Sequence, residues 1–477
     1  MKTDCLRSTA GLSLVAGVLL LSGCATVGPD YVRPETAVPA TWHIQIQNGL
    51  SSEKSDPKTM AEWWARFDDA ELSSLMERAI AGNLDLKKAS ARIHEARARR
   101  GIARAGLSPT LNGSGSTNWS RADSSAEATR TNTLYSVDFD AGWELDIFGG
   151  TRRTVESSEA ELQATWEDLH DLLVSLQAEV ALNYIDVRTY QARLLTAEKN
   201  LEQQNESYKL AEWRYQAGLS DGLAVQQALY NLENTRSQIP ALRAGLEETL
   251  NRIAVLLGEQ PGEIHKELET RKPIPAVPLE IAIGIPADIV RQRPDIRRAE
   301  RELAAQTAKV GVAMADLYPK FNLSGLLGIS AETLFGSGSR TSSAGSRISL
   351  PLFNAGSVRQ GVKIREAVKE QYLIQYKTTV LNALEEVENA LTAFSEEQRT
   401  RANLQACAQA AQKAVDLALN KYQSGLIGFN DVLDAQRSLL SFQEKLVQSD
   451  GAAASCTIRL YKTLGGGWTS LSSDAGK

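Results

Sequence analysis

Between Tyr135 and Asp146 the chain alternates without a break. Tyr135, Val137, Phe139, Ala141, Trp143 and Leu145 are apolar or aromatic, and Ser136, Asp138, Asp140, Gly142, Glu144 and Asp146 are polar or small. A period of two marks an extended strand with one apolar and one polar face. The pattern predicts strands at about 132–146 and, in a weaker small-residue-rich stretch around Leu111 to Trp119, at about 110–120, with a polar loop from Ser120 to Thr131. It returns at about 320–331, where Phe321, Leu323, Gly325, Leu327 and Ile329 alternate with Asn322, Ser324, Leu326, Gly328 and Ser330. A Gly/Ser loop opening at Gly336 then leads to a last strand at about 343–352.

Between these strand pairs the period changes to that of helices. Arg152 to Gln216 and Ser357 to Gln423 contain no proline and are rich in Ala, Leu, Glu and Gln. About 65 residues at a rise of roughly 1.5 Å each predicts helices near 100 Å long. The chain turns at Gly218 and Gly222, and again at Gly425 and Gly428, and returns through Leu223 to Leu257 and Asp431 to Leu464. A 22-residue helix opens each set, at Leu84–Ala105 and Asp295–Asp316.

The two sets are one plan used twice. Moved by 210 residues, Asp85, Gly101, Pro109 and Asn112 fall on Asp295, Gly311, Pro319 and Asn322. Moved by 207, Tyr215, Gly218, Arg252 and Gly258 fall on Tyr422, Gly425, Arg459 and Gly465. Matches in register through helical and strand-like stretches alike mean a duplicated structural unit, with a period too long for a solenoid. The organisation that follows is residues 1–23 as a signal peptide, 24–66 as an N-terminal segment and 67–258 as the first repeat, with its tip at about 217–222. A Pro-rich linker (259–286), the second repeat (287–465, tip about 424–430) and a tail (466–477) complete it.

The strands suit the roughly 9–11 residues that cross a bilayer at a tilt. Four strands cannot close, and sheet edges are not tolerated in lipid, so membrane strands here require several chains to share one barrel. Two chains give eight strands and three give twelve. The alternative at this point is a soluble two-sided hairpin.

At the N-terminus, Lys2 and Arg7 precede a short apolar run, Ala10 to Leu21, and then Leu21-Ser22-Gly23-Cys24. This reads as a secretory signal whose cysteine, Cys24, is the lipidation site of a bacterial lipoprotein. Of the other cysteines, Cys407 and Cys456 lie in helical patterns and either pair or serve as small buried residues. The four histidines show no ligand spacing, so no metal or cofactor is expected. A net charge of −6 over 477 residues argues against nucleic acid. Gly218-Leu219-Ser220-Asp221-Gly222 fits the G-x-S-x-G nucleophile elbow, but it joins two helices rather than a strand to a helix, and no enzyme is expected.

Together these residues resemble the outer-membrane factors, the TolC-like exit ducts of efflux pumps. Val27-Gly28-Pro29-Asp30-Tyr31-x-Arg33-Pro34 is similar to the start of the NodT-type lipoprotein branch that serves resistance-nodulation-division pumps. Trp63-Trp64-x-x-Phe67-x-Asp69-x-x-Leu72-x-x-Leu75, then Asn83-x-Asp85-Leu86, is similar to that branch's opening helix. The resemblance implies a mainly α fold with a β-barrel portion: a homotrimer carrying a twelve-stranded barrel on a long α-helical barrel. It implies an exit duct in the bacterial outer membrane, extending into the periplasm and carrying drugs, toxic compounds or metal ions from an inner-membrane pump and a periplasmic adaptor. Tyr135, Val137, Phe139 and Trp143 would face outer-membrane lipid. Asn430-Asp431-Val432-Leu433-Asp434-Ala435 matches the motif whose aspartates, here Asp431 and Asp434, ring the periplasmic gate; the residues alone read equally as an acidic first turn of a helix. Tyr422 matches a tyrosine that locks neighbouring helices, and Ile427 stands where that lock has an arginine. A periplasmic structural coiled-coil lipoprotein and a duct for type I protein secretion are the other readings.

Overall fold

A computed structural model describes residues 26–35, 37–44, 50–53, 56–122, 130–277, 280–334 and 336–468. Cys24, the signal segment and the last nine residues lie outside the described residues. In chain order the elements begin with β1 (Leu50–Ser51), α1 (Pro57–Ala61), a 3-10 turn (Trp63–Phe67), α2 (Ala70–Gly82) and α3 (Leu84–Ala105). Then come β2 (Thr110–Ala122), β3 (Arg130–Leu145), α4 (Gly150–Gln216), α5 (Gly222–Leu257) and α6 (His265–Leu268). The second half holds β4 (Ile281–Ala282), α7 (Pro286–Gln292), α8 (Pro294–Ala315), β5 (Lys320–Ala331), β6 (Ser339–Ser349), α9 (Ser357–Gln423) and α10 (Phe429–Thr463). Both descending helices, α4 and α9, are 67 residues long. The chain divides into two compact units, one of residues 1–36, 91–166 and 298–378, the other of residues 37–90, 167–297 and 379–477.

The first unit holds a four-stranded antiparallel sheet in the order β2-β3-β5-β6. Its register gathers most of the apolar positions of the strands on one face, with Leu134 and Leu326 on the other. Val137 pairs with Ile329, Phe139 with Leu327, Trp143 with Leu323 and Leu145 with Phe321. Phe321 in turn pairs with Ile348. On the other face Ser116 and Ser136 share a hydrogen bond of 2.8 Å, and the carboxylate of Asp138 covers Gly328 on the neighbouring strand. Val137, Phe139, Leu327 and Ile329 are each more than half exposed in the single chain. The outer edges of β2 and β6 have no strand partner among the described residues.

β6 differs from its predicted place. It begins at Ser339, inside the stretch read as a Gly/Ser loop, and stops at Ser349, so Leu350 and Pro351 lie outside it. Backbone pairing with β5, from Ser339 on Ser330 to Ser349 on Lys320, draws the small residues into the sheet without any apolar alternation of their own.

The second unit carries the apolar core. Trp63, Leu72, Leu75, Met76, Tyr184, Ile253 and Ile264 are almost wholly buried, and Trp63 stacks on Tyr461 at 5.4 Å. The tryptophan motif is a 3-10 turn that Asp68 ends with a left-handed backbone, φ 49°. Asp69 then caps α2 by accepting from the N–H groups of Glu71 and Leu72. The same carboxylate accepts from the hydroxyl of Tyr184 at 2.6 Å. Arg188, fully buried, donates to Gln191, to the carbonyl of Thr270 and to Glu71. The Pro-rich linker is fastened by β4, whose Ile281 and Ala282 pair in parallel with Leu50 and Ser51. Cys407 is exposed, Cys456 is buried, and both are free thiols.

Candidate functional site

The two tips are built alike and lie in the second unit. α4 closes with Gly218 at φ +73°, its N–H on the carbonyl of Tyr215, and with Leu219 donating to Arg214. α9 closes with Gly425 at φ +73°, its N–H on the carbonyl of Tyr422, and with Leu426 donating to Lys421. This is the paired-bond ending in which a left-handed residue, nearly always glycine, satisfies the last carbonyls. Of the four tip glycines these two hold the left-handed backbone. Gly222 opens α5, and Gly428, with φ −75°, is the N-cap of α10.

The return helices start with a carboxylate each, from different positions. Asp221 at the N-cap of α5 accepts from the N–H of Ala224 at 3.2 Å. Its counterpart 207 residues on is Gly428, which has no side chain to offer. There the counterpart of Ala224, Asp431, accepts from the N–H of Gly428 at 3.2 Å. Asp431 therefore does the work of an ordinary capping residue whatever else it does. Asp434 makes an ion pair with Arg437 at 3.0 Å on the same helix. Asp431 and Asp434 are both exposed, while Val432 and Leu433 between them are buried.

Beneath the carboxylates lies a small core made by both tips. Tyr422 is buried with Ala211, Ala224, Ala228, Phe429, Val432 and Leu433, and its ring meets that of Phe429 at 5.1 Å. Ile427 packs against this cluster. The guanidinium of Arg214 lies 4.5 Å over the ring of Tyr422, within cation–π range. The hydroxyl of Tyr422 is buried and makes no hydrogen bond among the described residues.

Two residues of the site were missed from sequence. One is Arg214, and the signal for it is that a cation precedes the tip tyrosine in both repeats, as Arg214-Tyr215 and Lys421-Tyr422. The other is Arg437, which reaches from Asp434 to the Tyr230 hydroxyl at 2.5 Å and the Asn231 amide oxygen at 3.1 Å, tying α10 to α5. Its spacing of three from Asp434 on a helix is the available clue. The G-x-S-x-G stretch is a helix–turn–helix with Asp221 as cap, as its place between two helices implied. Among the described residues no group of His, Cys, Asp and Glu is arranged to hold a metal ion.

A four-stranded sheet with one apolar face, and two 67-residue helices in the same chain, are the elements of an outer-membrane channel of the efflux class. The chain belongs to the outer membrane efflux protein family, whose sequence profile matches residues 75–259 and again residues 285–466. The two matches restate the duplication, with the offset of 210 between their starts and 207 between their ends. The chain is 35% identical to Nodulation protein T of Rhizobium leguminosarum bv. trifolii over 436 residues, covering 90% of this chain and 92% of that one. It is 32% identical to the cation efflux system protein CusC of Escherichia coli over 463 residues, covering 94% and 97%. Among solved structures it is similar to the outer-membrane channel OprN, with a TM-score of 0.86 and 36% identity over 93% of this chain and all of that one.

Proposed function

We propose that the chain is the outer-membrane exit duct of a tripartite efflux pump, working as a homotrimer. The observation that carries this reading is the sheet, with its apolar face bare and both edges open in one chain. Three copies give twelve strands, enough for a closed barrel that leaves no edge in lipid. The paired helices extend the duct into the periplasm, where an adaptor and an inner-membrane pump supply cargo and energy. The duct is passive and performs no chemistry. Residues 1–23 are removed as a signal peptide and Cys24 carries the lipid anchor. Asp431 and Asp434 gather on the three-fold axis at the periplasmic end and attract cations to the constriction. Tyr422 helps to hold that end closed. The test is to place the detergent-purified protein in planar lipid bilayers. Discrete, cation-preferring conductance steps support the duct, and a protein that extracts without detergent and never conducts is a structural lipoprotein instead.

A further inference from the structure

The first unit holds a built site that the duct reading does not use. Residues 26–34, which follow the cysteine, lie against the start of α4 and against α8. The N–H of Val27 donates to the carbonyl of Phe148 at 3.1 Å. Arg153, whose side chain is 3% exposed, takes hold of the next stretch. Its Nε donates to the carbonyl of Val27 at 3.1 Å, and Nη2 donates to the carbonyl of Gly28 at 3.2 Å and to the Asp30 carboxylate at 2.7 Å. Nη1 goes to Glu156 at 2.7 Å. Farther along, the Tyr31 hydroxyl donates to Glu300 at 3.2 Å, Arg33 pairs with Glu300 at 3.2 Å, and Arg301 lies 5.4 Å over the Tyr31 ring.

Glycines make room for this contact. Gly28 has φ +94°, and a Cβ on it would overlap the Cα of Gly311. A Cβ on Gly149, φ +83°, would stand 2.5 Å from Cγ2 of Thr26, and one on Gly311 would stand 2.9 Å from Cγ of Arg153. The duplication supplies an internal comparison. Gly149 recurs as Gly356, again with φ +83°, and Gly311 has Gly101 as its counterpart, yet a Cβ on either would meet nothing within 4 Å. Where the first repeat has Arg153 the second has Gln360, which is exposed. The backbone geometry is therefore present twice, and the buried guanidinium once. Buried charged donors need acceptors, and three of those used by Arg153 come from the N-terminal segment.

We propose that Arg153 is the intramolecular receptor for the segment after the lipid-bearing cysteine, holding the acyl anchor at the end of the sheet and so coupling anchoring to sheet insertion. The inference rests on the reading of Cys24 as the lipid site. Thr26, two residues after Cys24 in the sequence, sits on Gly149, just past the end of β3 at Leu145. Arg153 acts here as a positioning residue.

The experiment uses the full chain, labelled in cells with a radioactive fatty acid and purified in detergent. Docking is read by chymotrypsin cleavage between Tyr31 and Val32, the latter well exposed and the former held on Glu300. Arg153→Gln should speed cleavage by about tenfold or more, as loss of several charge-assisted bonds raises the undocked population. It should also lower the yield of heat-resistant oligomer while leaving the label in place. Val27→Pro leaves Arg153 in place, removes the N–H that bonds Phe148 and restricts the backbone at Thr26, and should act in the same direction, which covers a Gln variant that does not accumulate. Cleavage at wild-type rate in both variants overturns the receptor, and a labelled Arg153→Gln protein that inserts as well as wild type overturns the coupling. Absence of label from the wild type defeats the reading of Cys24 itself, and with it the anchor, while the cleavage comparison still decides whether Arg153 holds the segment.

Discussion

The carboxylate of Asp434 lies 3.0 Å from Nη1 of Arg437, and the same guanidinium reaches Tyr230 and Asn231 on α5. Asp431, three residues before Asp434, has no such cation among the described residues, where its carboxylate accepts from the N–H of Gly428. The two aspartates are thus electrostatically unequal. In planar bilayers Asp431→Ala should lower cation selectivity more than Asp434→Ala, and the double variant should lose it. Arg437→Gln should raise it, because Asp434 is then uncompensated. Asp431→Ala also removes a cap and should cost about 0.5–1 kcal/mol. Identical ion selectivity in wild type and double variant would reduce both residues to helix-start acids.

The register of the sheet predicts a sharp contrast between neighbours on β3. Val137 shares the apolar face with Ile329, whereas Asp138 lies on the other face over Gly328. Val137→Lys should destabilise the assembled barrel by about 2–4 kcal/mol if it sits near mid-bilayer. Asp138→Asn should be tolerated. Single cysteines labelled with a membrane-impermeant reagent check the faces, and reaction at 137 without reaction at 138 would reverse them.

Arg188 joins three parts of the second unit: α4, the linker at Thr270, and α2 through Glu71. Its guanidinium is fully buried and lies 4.9 Å over the ring of Tyr184. Arg188→Ala should cost about 1–3 kcal/mol, because it leaves the buried Gln191 oxygen without its donor, while Glu71 keeps its ion pair with Lys272. Arg99→Ala removes an exposed pair with Glu95 and should leave the melting temperature unchanged. Thermal unfolding of the two variants side by side measures the difference.

The buried hydroxyl of Tyr422 has no hydrogen-bond partner among the described residues, and Ile427 gives the tip an apolar contact. Tyr422→Phe should therefore keep the chain's own packing, including the ring contact with Phe429 at 5.1 Å. If the hydroxyl reaches a neighbouring protomer, this variant opens the channel more often at unchanged thermal stability. Arg214→Ala removes the cation from above the ring and should loosen the tip through the chain itself. Single-channel open probability and melting temperature, taken together, separate the two effects.

What the sequence carried of this molecule depended on whether side chains or backbone did the work. The alternation from Tyr135 to Leu145 and the proline-free runs of α4 and α9 are side-chain patterns, and they announced themselves. The start of β6 at Ser339 did not, because a strand of Gly and Ser is held by the backbone of β5 and has no apolar rhythm. Gly218 and Gly425 were readable as turns, since left-handed closure of a helix favours glycine. The capping role of Asp431 was harder to see, because the carboxylate that stands at Asp221 in one repeat has moved three places in the other. The same holds for Asn83 and Arg293, at equivalent positions in the two repeats. Asn83 donates to the carbonyl of Leu256, Arg293 to that of Thr463, and Arg293 additionally recruits Glu386. Equivalent positions with unlike residues carry the same contact, which a residue-by-residue comparison passes over.

Other copies of the chain are expected to close the open edges of β2 and β6. Native mass spectrometry of the detergent-purified, full-length protein tests it most directly. The expected species is a complex of three chains that survives detergent and falls apart only on heating. A stable species of one chain, with its sheet edges unpaired and its apolar face bare, would contradict it.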